Sequence, residues 1–100
     1  MKKLKNAFRK LGEVGVDSGG LIIVDPCYLS KWKDGEYGKN NHYTKACKAR
    51  DNENRGSEVL VSGVAGNGVS FTSGYGDGVY PVLAHYNGDG VIDEVVIKLA

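Results

Sequence analysis

Residues 58 to 99 read EVLVSGVAGNGVSFTSGYGDGVYPVLAHYNGDGVIDEVVIKL, and this stretch decides the fold. It alternates runs rich in β-branched residues with glycine-containing separators that carry the Asn-Gly or Asp-Gly pairs typical of tight hairpin turns. The predicted strands are residues 58 to 65, 69 to 73, 79 to 86 and 91 to 99. Because proline has no backbone N–H, Pro81 predicts an edge position or a bulge in the third of them. The stretch therefore indicates an antiparallel meander.

The chain begins with a different pattern. Residues 2 to 11, KKLKNAFRKL, place apolar residues at the i, i+3, i+4 and i+7 positions of an amphipathic helix. These residues are Leu4, Ala7, Phe8 and Leu11. Gly12 follows at the position of a helix C-cap, so we expect a short helix with one apolar face and one basic face.

Between these two regions, residues 13 to 17 alternate and residues 21 to 24 are a continuous apolar run. The segment Ser18-Gly19-Gly20 separates them, which predicts a hairpin. Pro26 ends the second strand. Residues 30 to 56 are polar and weakly patterned, and within them residues 42 to 49 favour a strand over a helix.

Together these patterns predict a mainly β fold, all-β except for one short N-terminal helix: an antiparallel small sandwich or open barrel of six or seven strands. The 100 residues are expected to form a single domain. Residues 1 to 11 are its basic amphipathic helix, and residues 12 to 100 are a β-rich body with a polar loop insertion around residues 30 to 56.

Composition excludes several classes of protein. The chain is 41% hydrophobic and 25% charged, the balance of a folded domain, and it contains no apolar run long enough to span a membrane. Its net charge of +1 gives no overall field for nucleic acid, although five basic residues and no acidic one lie in residues 1 to 11. Two cysteines are too few for a disulfide-rich secreted domain, so a cytoplasmic location with reduced thiols is expected.

Three stretches contain residues that could bind an anion, a metal ion or a nucleotide. The alternating glycines of residues 73 to 81, SGYGDGVYP, could direct backbone N–H groups at an anion, but neither a Gly-Lys-Ser/Thr motif nor a following helix is present. Residues 87 to 94, NGDGVIDE, match the middle of a calcium loop and lack both anionic ends, since His85 and Val96 stand there. A tight turn is favoured at both places, and no metal site or cofactor is predicted.

The third stretch combines aromatic and basic side chains that could stack on and neutralise a nucleotide or a single strand. Its alternative is a loop with amphipathic contacts. The aromatic residues are Tyr28, Trp32, Tyr37 and Tyr43, and the basic residues are Lys31, Lys33, Lys39, Lys45, Lys48 and Arg50.

Two segments resemble a known family. Residues 15 to 28, GVDSGGLIIVDPCY, resemble a "VDSG…DPCY" opening, and residues 73 to 82, SGYGDGVYPV, resemble an "SGxGDGxYPV" box. Both are features of a family of small uncharacterised bacterial and phage proteins. The resemblance implies a compact β-rich domain of unknown biochemical role, met in phage or mobile-element genomes, and supplies no catalytic residues.

These observations favour a non-enzymatic domain that binds a small ligand, with a nucleotide-like molecule preferred. We expect the opening segment and the closing box to meet at one pocket, where Asp25 and Asp77 accept hydrogen bonds and the tyrosines flank a planar ligand. The predicted ligand-binding residues are Asp25, Cys27, Tyr28, Ser73, Tyr75, Asp77 and Tyr80.

Two other classes of function stay open. In an enzyme, His42 or His85 would activate Cys27 as a nucleophile. A structural or inhibitory protein would act through its surface. We also expect the N-terminal helix to cover the apolar residues Ile92 and Val96, either within the chain or across the interface of a homodimer, with the homodimer slightly preferred.

Overall fold

The computed structural model describes residues 7 to 61 and 68 to 100. Its six strands form two antiparallel sheets of three strands each. The first sheet has the order β1-β5-β6, with β1 at Phe8–Val16, β5 at Gly78–Tyr86 and β6 at Ile92–Ile97. The second has the order β2-β4-β3, with β2 at Gly20–Val24, β4 at Gly68–Thr72 and β3 at Gly56–Glu58. The mainly β fold is confirmed, and the strands of the described residues form a sandwich-like arrangement and not a closed barrel.

The helix predicted for residues 2 to 11 is corrected where the structure describes it. Phe8 begins β1, and its Cα partner on β5 is His85. A helix of ten residues is marginal in water, whereas pairing along β5 satisfies the backbone groups of the same residues. Phe8 and Leu11 are therefore strand residues and do not form a helix over Ile92 and Val96. The remainder of the predicted helix, residues 1 to 6, lies outside the described residues.

The hairpin predicted around Ser18-Gly19-Gly20 is also wrong. β1 pairs with β5 and β2 pairs with β4, so this segment connects the two sheets. Strand length agrees with this pairing, since β1 and β5 are nine residues long and β2 and β4 are five residues long. Gly19 has φ of 79°, a left-handed conformation that glycine adopts without strain.

The sequence predicts Pro81 at an edge or at a bulge. It lies in the central strand β5, so the edge position is wrong, and the irregularity in the pairing of β1 with β5 lies in β1, between Lys10 and Gly12. The Pro81 carbonyl accepts a hydrogen bond from the Lys98 N–H (3.2 Å), so its ring nitrogen faces the side of β6. The last registered pair between β5 and β6 is Val82 with Ile97. The position of the N–H that proline lacks therefore lies just beyond the last registered pair. Its absence removes no hydrogen bond from the registered pairs of β5 and β6.

The segment between β2 and β3 contains two helices. A 3₁₀ helix spans Pro26–Lys31, and α1 spans His42–Lys48, where the sequence favoured a strand. Asn41 caps α1, because its Oδ1 accepts a hydrogen bond from the Thr44 N–H (2.8 Å). α1 packs on the second sheet, where the Ser70 hydroxyl of β4 donates to the Ala46 carbonyl (2.8 Å).

Among the described residues, the buried apolar side chains are small and few. Val16 and Ala84 are buried in the first sheet, and Val59 and Val61 follow β3. Of the predicted strand over residues 58 to 65, the structure assigns Glu58 to β3, while residues 62 to 67 lie outside the described part. Within residues 7 to 61 and 68 to 100, no helix has the length and apolar character needed to cross a membrane.

Candidate functional site

A cavity of about 80 Å³ lies between β2 and α1. One wall is formed by the start of β2, with Gly20, Leu21 and Ile22, and by Ser70 of the neighbouring strand. The other residues that define it are Ser18, Trp32, Tyr43, Ala46, Cys47 and Arg50. It thus combines two aromatic rings, a thiol and a guanidinium group in one concave site.

Trp32 is positioned by the end of the 3₁₀ helix and by α1. Its backbone N–H donates to the Leu29 carbonyl (3.1 Å), and its indole stacks on the His42 ring with 5.4 Å between centroids and an interplanar angle of 28°. The His42 Nδ1 accepts from the Lys33 N–H (2.7 Å), so the neutral ring carries its proton on Nε2. His42 therefore serves to fix the indole.

Tyr43 and Cys47 reach the cavity because a spacing of four residues places them on one face of α1. Arg50 follows the helix and folds back, so that its Nη2 donates to the Cys47 Sγ (3.1 Å) and the Ser18 carbonyl (3.3 Å). The guanidinium also lies against Gly20. A Cβ at Gly20 would overlap Arg50 Nη1 and the Phe71 carbonyl, so only glycine permits this approach.

The electrostatics of the cavity are dominated by Arg50. Among the described residues, ion pairs form between Lys10 and Glu13 and between His85 and Asp93, and neither involves Arg50. Its hydrogen bonds go to the Cys47 Sγ and the Ser18 carbonyl. The hydrogen bond and charge interaction with Cys47, followed by desolvation, raise the pKa of Tyr43, against the opposing effect of Arg50 and Ser18. Tyr43 is thus a neutral hydroxyl at neutral pH.

The closing box forms a turn whose polar groups satisfy one another. The Ser73 and Tyr80 hydroxyls donate to the Gly76 carbonyl at 2.5 and 2.7 Å. The Asp77 Oδ1 accepts a hydrogen bond from the Gly19 N–H (2.8 Å). Tyr75 is 83% exposed at the tip. The structure brings Ser73, Asp77 and Tyr80 together as a structural turn.

The last residues of the opening segment, residues 25 to 28, lie at the other end of β2. Gly20 pairs with Thr72 and Val24 pairs with Gly68, so Asp25 and Ser73 are separated by the length of the strand. Five residues of strand span about 13 Å between the first and last Cα. Asp25 instead caps the 3₁₀ helix by accepting from the Cys27 N–H (2.9 Å). The register therefore separates residues 25 to 28 from the closing box, whereas the start of the opening segment contacts the box, since Gly15 pairs with Val79 and Val16 pairs with Gly78.

Cys27, a predicted ligand-binding residue and the nucleophile of the enzymatic alternative, is exposed and has the Asp25 carboxylate beside it. Local desolvation, and next the hydrogen bond and repulsion from Asp25, raise the pKa of the Cys27 thiol. His42 binds the Lys33 N–H and His85 binds Asp93, at 2.7 Å each. Both imidazoles are thus engaged elsewhere, and the thiol is held in its protonated and less nucleophilic form.

The sequence drew attention to Trp32, Tyr43 and Arg50 within a larger aromatic and basic set, and the structure selects these three. We did not predict from the sequence that Cys47 and Gly20 would line the cavity. The signal for Cys47 was its spacing from Tyr43 together with the Asn41 cap, which would have favoured a helix. No signal within the chain could have placed Arg50 against Gly20, because the two residues lie on separate elements.

The chain matches the family described as "Protein of unknown function (DUF4241)" over residues 8 to 97. Neither the curated proteins nor the solved structures contain a match to it. The matched range includes both sheets, both helices and every residue of the cavity. The protein therefore belongs to this family of unknown function.

Proposed function

We propose that this protein is a non-enzymatic binding domain for a small planar anion of the nucleotide type, held at the cavity between β2 and α1. The observation that carries the proposal is the Arg50 guanidinium at the cavity wall, which has no carboxylate partner among the described residues. A partly buried cation without a counter-ion favours an anionic ligand. Arginine also presents a planar set of N–H donors that suits phosphate or carboxylate oxygens.

The aromatic residues supply the second half of the recognition. Trp32 is fixed against His42, and Tyr43 lies on the adjacent face of α1, so a planar group has two rings available for stacking. A rigid ring loses little entropy when a ligand binds. Base stacking on aromatic side chains contributes about 1–3 kcal/mol per base in other systems.

The size of the cavity limits what enters it. A water molecule occupies about 30 Å³ of liquid, and ligand pockets for drug-sized molecules start at about 300 Å³. A cavity of about 80 Å³ therefore holds one small group, such as a phosphate, with the remainder of the ligand at the mouth. This favours a mononucleotide over a long single strand.

The test is a thermal-shift and calorimetric series with AMP, cyclic AMP, GMP, adenosine and inorganic phosphate. We expect a mononucleotide to raise the Tm of the wild-type protein, because a ligand that binds only the folded state stabilises it. Arg50→Gln and Trp32→Leu should each abolish the shift, whereas Lys48→Gln, which removes an exposed cation at the end of α1, should leave it unchanged. A shift that survives both cavity substitutions, or the absence of any shift, would contradict the proposal.

The enzymatic alternative predicts a different result when the same mixtures of protein and nucleotide are analysed after incubation. A cysteine-dependent enzyme acting on a bound nucleotide would convert it, so the compounds recovered after incubation should differ from those added. We expect full recovery. Two free thiols, Cys27 and Cys47, fit the cytoplasmic location that we propose for the protein.

We further propose that a second copy of the chain covers the first sheet at β6. Ile92 pairs with Tyr86 and Val95 pairs with Ala84, with a β-bulge between the two pairs. Because Ala84 and Tyr86 are two residues apart on β5 and share a face of the sheet, Ile92 and Val95 lie on that same face. Their exposed fractions are 44% and 54%. β6 is also an edge strand whose outer N–H and C=O groups face away from β5. An apolar patch next to an unpaired edge favours association with a like strand.

A further inference from the structure

The β5–β6 pair contains a cluster of possible metal ligands that the proposed function does not use. His85 pairs with Glu94, whereas the next residue of β5, Tyr86, pairs with Ile92. Asp93 is the extra residue of the resulting β-bulge. A bulge redirects a side chain that the alternation of a regular strand would send to the other face. Asp93 and Glu94 therefore both approach His85.

The geometry of these three residues is compact. One ligand atom from each of them lies within 4.8 Å of the other two, and the His85 Nδ1 is 2.7 Å from the Asp93 Oδ1. Phe8, the partner of His85 on β1, packs its ring against the imidazole with 5.3 Å between centroids. The His85 side chain is 14% exposed and that of Asp93 is 40% exposed. The imidazole is thus held in place while the carboxylates face solvent.

We propose that His85, Asp93 and Glu94 bind a divalent transition-metal ion such as Zn²⁺. An imidazole nitrogen with two carboxylates is a mixed donor set that suits Zn²⁺ and its neighbours in the first transition row. Ca²⁺ requires about six to eight oxygen ligands, and Mg²⁺ prefers oxygen in octahedral geometry, so neither suits a site with a nitrogen donor. Three protein ligands leave the remaining positions for water or for another molecule.

The cluster differs from an ordinary acidic patch in one physical respect. Two carboxylates alone would attract any divalent cation by charge, and salt would screen that attraction. The His85 ring adds a directional donor that is fixed on one side by Phe8 and aimed at the carboxylates. We therefore expect the site to bind Zn²⁺ in preference to Mg²⁺ and Ca²⁺.

The experiment is isothermal titration calorimetry of the full chain with ZnCl₂, CaCl₂ and MgCl₂ at neutral pH. We expect one Zn²⁺ per chain at this site and much weaker binding of the other two ions. His85→Gln and Glu94→Gln should each weaken Zn²⁺ binding by about tenfold or more, since even outer-shell changes cost 10–100-fold in known sites. Asp89→Asn, in the adjacent turn and outside the cluster, is the matched control and should bind like the wild type.

Amide NMR spectra locate the bound ion and exclude unfolding of the variants. Zn²⁺ should shift the signals of residues 85, 93 and 94 before those near Cys27, Cys47 or His42, which are the remaining thiol and imidazole side chains of the chain. Equal binding by His85→Gln and the wild type, or equal affinity for Zn²⁺ and Ca²⁺, would overturn the proposal. Failure of nucleotides to bind would leave it unaffected, because the two sites use different sheets.

Discussion

The Asp77 carboxylate accepts a hydrogen bond from the Gly19 N–H (2.8 Å), although 58 residues separate them in the chain. Gly19 lies between β1 and β2, which belong to different sheets, and Asp77 immediately precedes β5. The Ser73 N–H reinforces the junction by donating to the Gly19 carbonyl (3.0 Å). The closing box is thus the contact that fixes how one sheet continues into the other.

Replacement of Asp77 should weaken this junction. Asp77→Ala removes the acceptor of the Gly19 N–H, and we expect the free energy of unfolding to fall by about 1–2 kcal/mol, because the bond is charge-assisted but exposed. Asp77→Asn keeps an acceptor oxygen and should lose less. Urea denaturation measures both. Asp89→Ala, at an exposed turn position, should change stability by no more than about 0.5 kcal/mol. Equal effects of Asp77→Ala and Asp89→Ala would show that the junction contributes nothing.

Gly20 should be essential for the cavity. The Cβ of Gly20→Ala would meet the Arg50 guanidinium and the Phe71 carbonyl, so either the side chain or β2 must move. We expect a loss of about 1–3 kcal/mol in thermal or urea unfolding, the range for an overpacked site. The mononucleotide-dependent rise in Tm should disappear as well. Gly15→Ala is the control, since a Cβ there has no neighbour within 4 Å. Wild-type stability of both variants would contradict the close approach of Arg50.

Cys27 should react slowly with iodoacetamide at neutral pH. Desolvation and the Asp25 carboxylate raise its pKa, so less of the thiol is ionised than in an unfolded peptide at the same pH. Asp25→Asn removes the repulsion and should increase the alkylation rate at pH 7.5, while its amide oxygen can still cap the 3₁₀ helix. Mass spectrometry of the Cys27 peptide over time provides the rate.

The control for this measurement is Asp34→Asn, which removes a carboxylate that does not act on Cys27. Its rate should equal that of the wild type. The pH at which the rate reaches half its maximum should move down in Asp25→Asn and stay in place in Asp34→Asn. If Cys27 instead reacts faster than a cysteine in an unfolded peptide, the result would support the enzymatic alternative, in which Cys27 is the nucleophile.

Association through β6 should be sensitive to charge at Val95. We expect a dimer in light scattering after size exclusion, and Val95→Lys should convert it to a monomer by placing a charge in the apolar patch. Val79→Lys changes another exposed valine, which the alternation of β5 places on the opposite face, and this variant should remain dimeric. A wild-type monomer at about 100 µM, well above a micromolar Kd, would exclude this interface.

The sequence by itself determined the local features of the fold. The turn Asn87-Gly88-Asp89-Gly90 and the strands on either side of it are where the sequence placed them, because glycine and asparagine preferences act within a few residues. The Asp25-Pro26 pair ended β2 as expected. Alternating apolar residues likewise predicted a mainly β protein, since burial on one face of a strand follows a period of two.

The tertiary structure decided which strands pair and which side chains meet. The pattern of residues 8 to 11 fits a helix, yet pairing with β5 makes them a strand, because hydrogen bonds to a distant segment outweigh a weak local preference. The bulge at Asp93 placed two carboxylates beside His85, and the path of the chain past α1 placed Arg50 against Gly20. Both candidate sites depend on register and on close approach between separate elements, which local residue preferences do not encode.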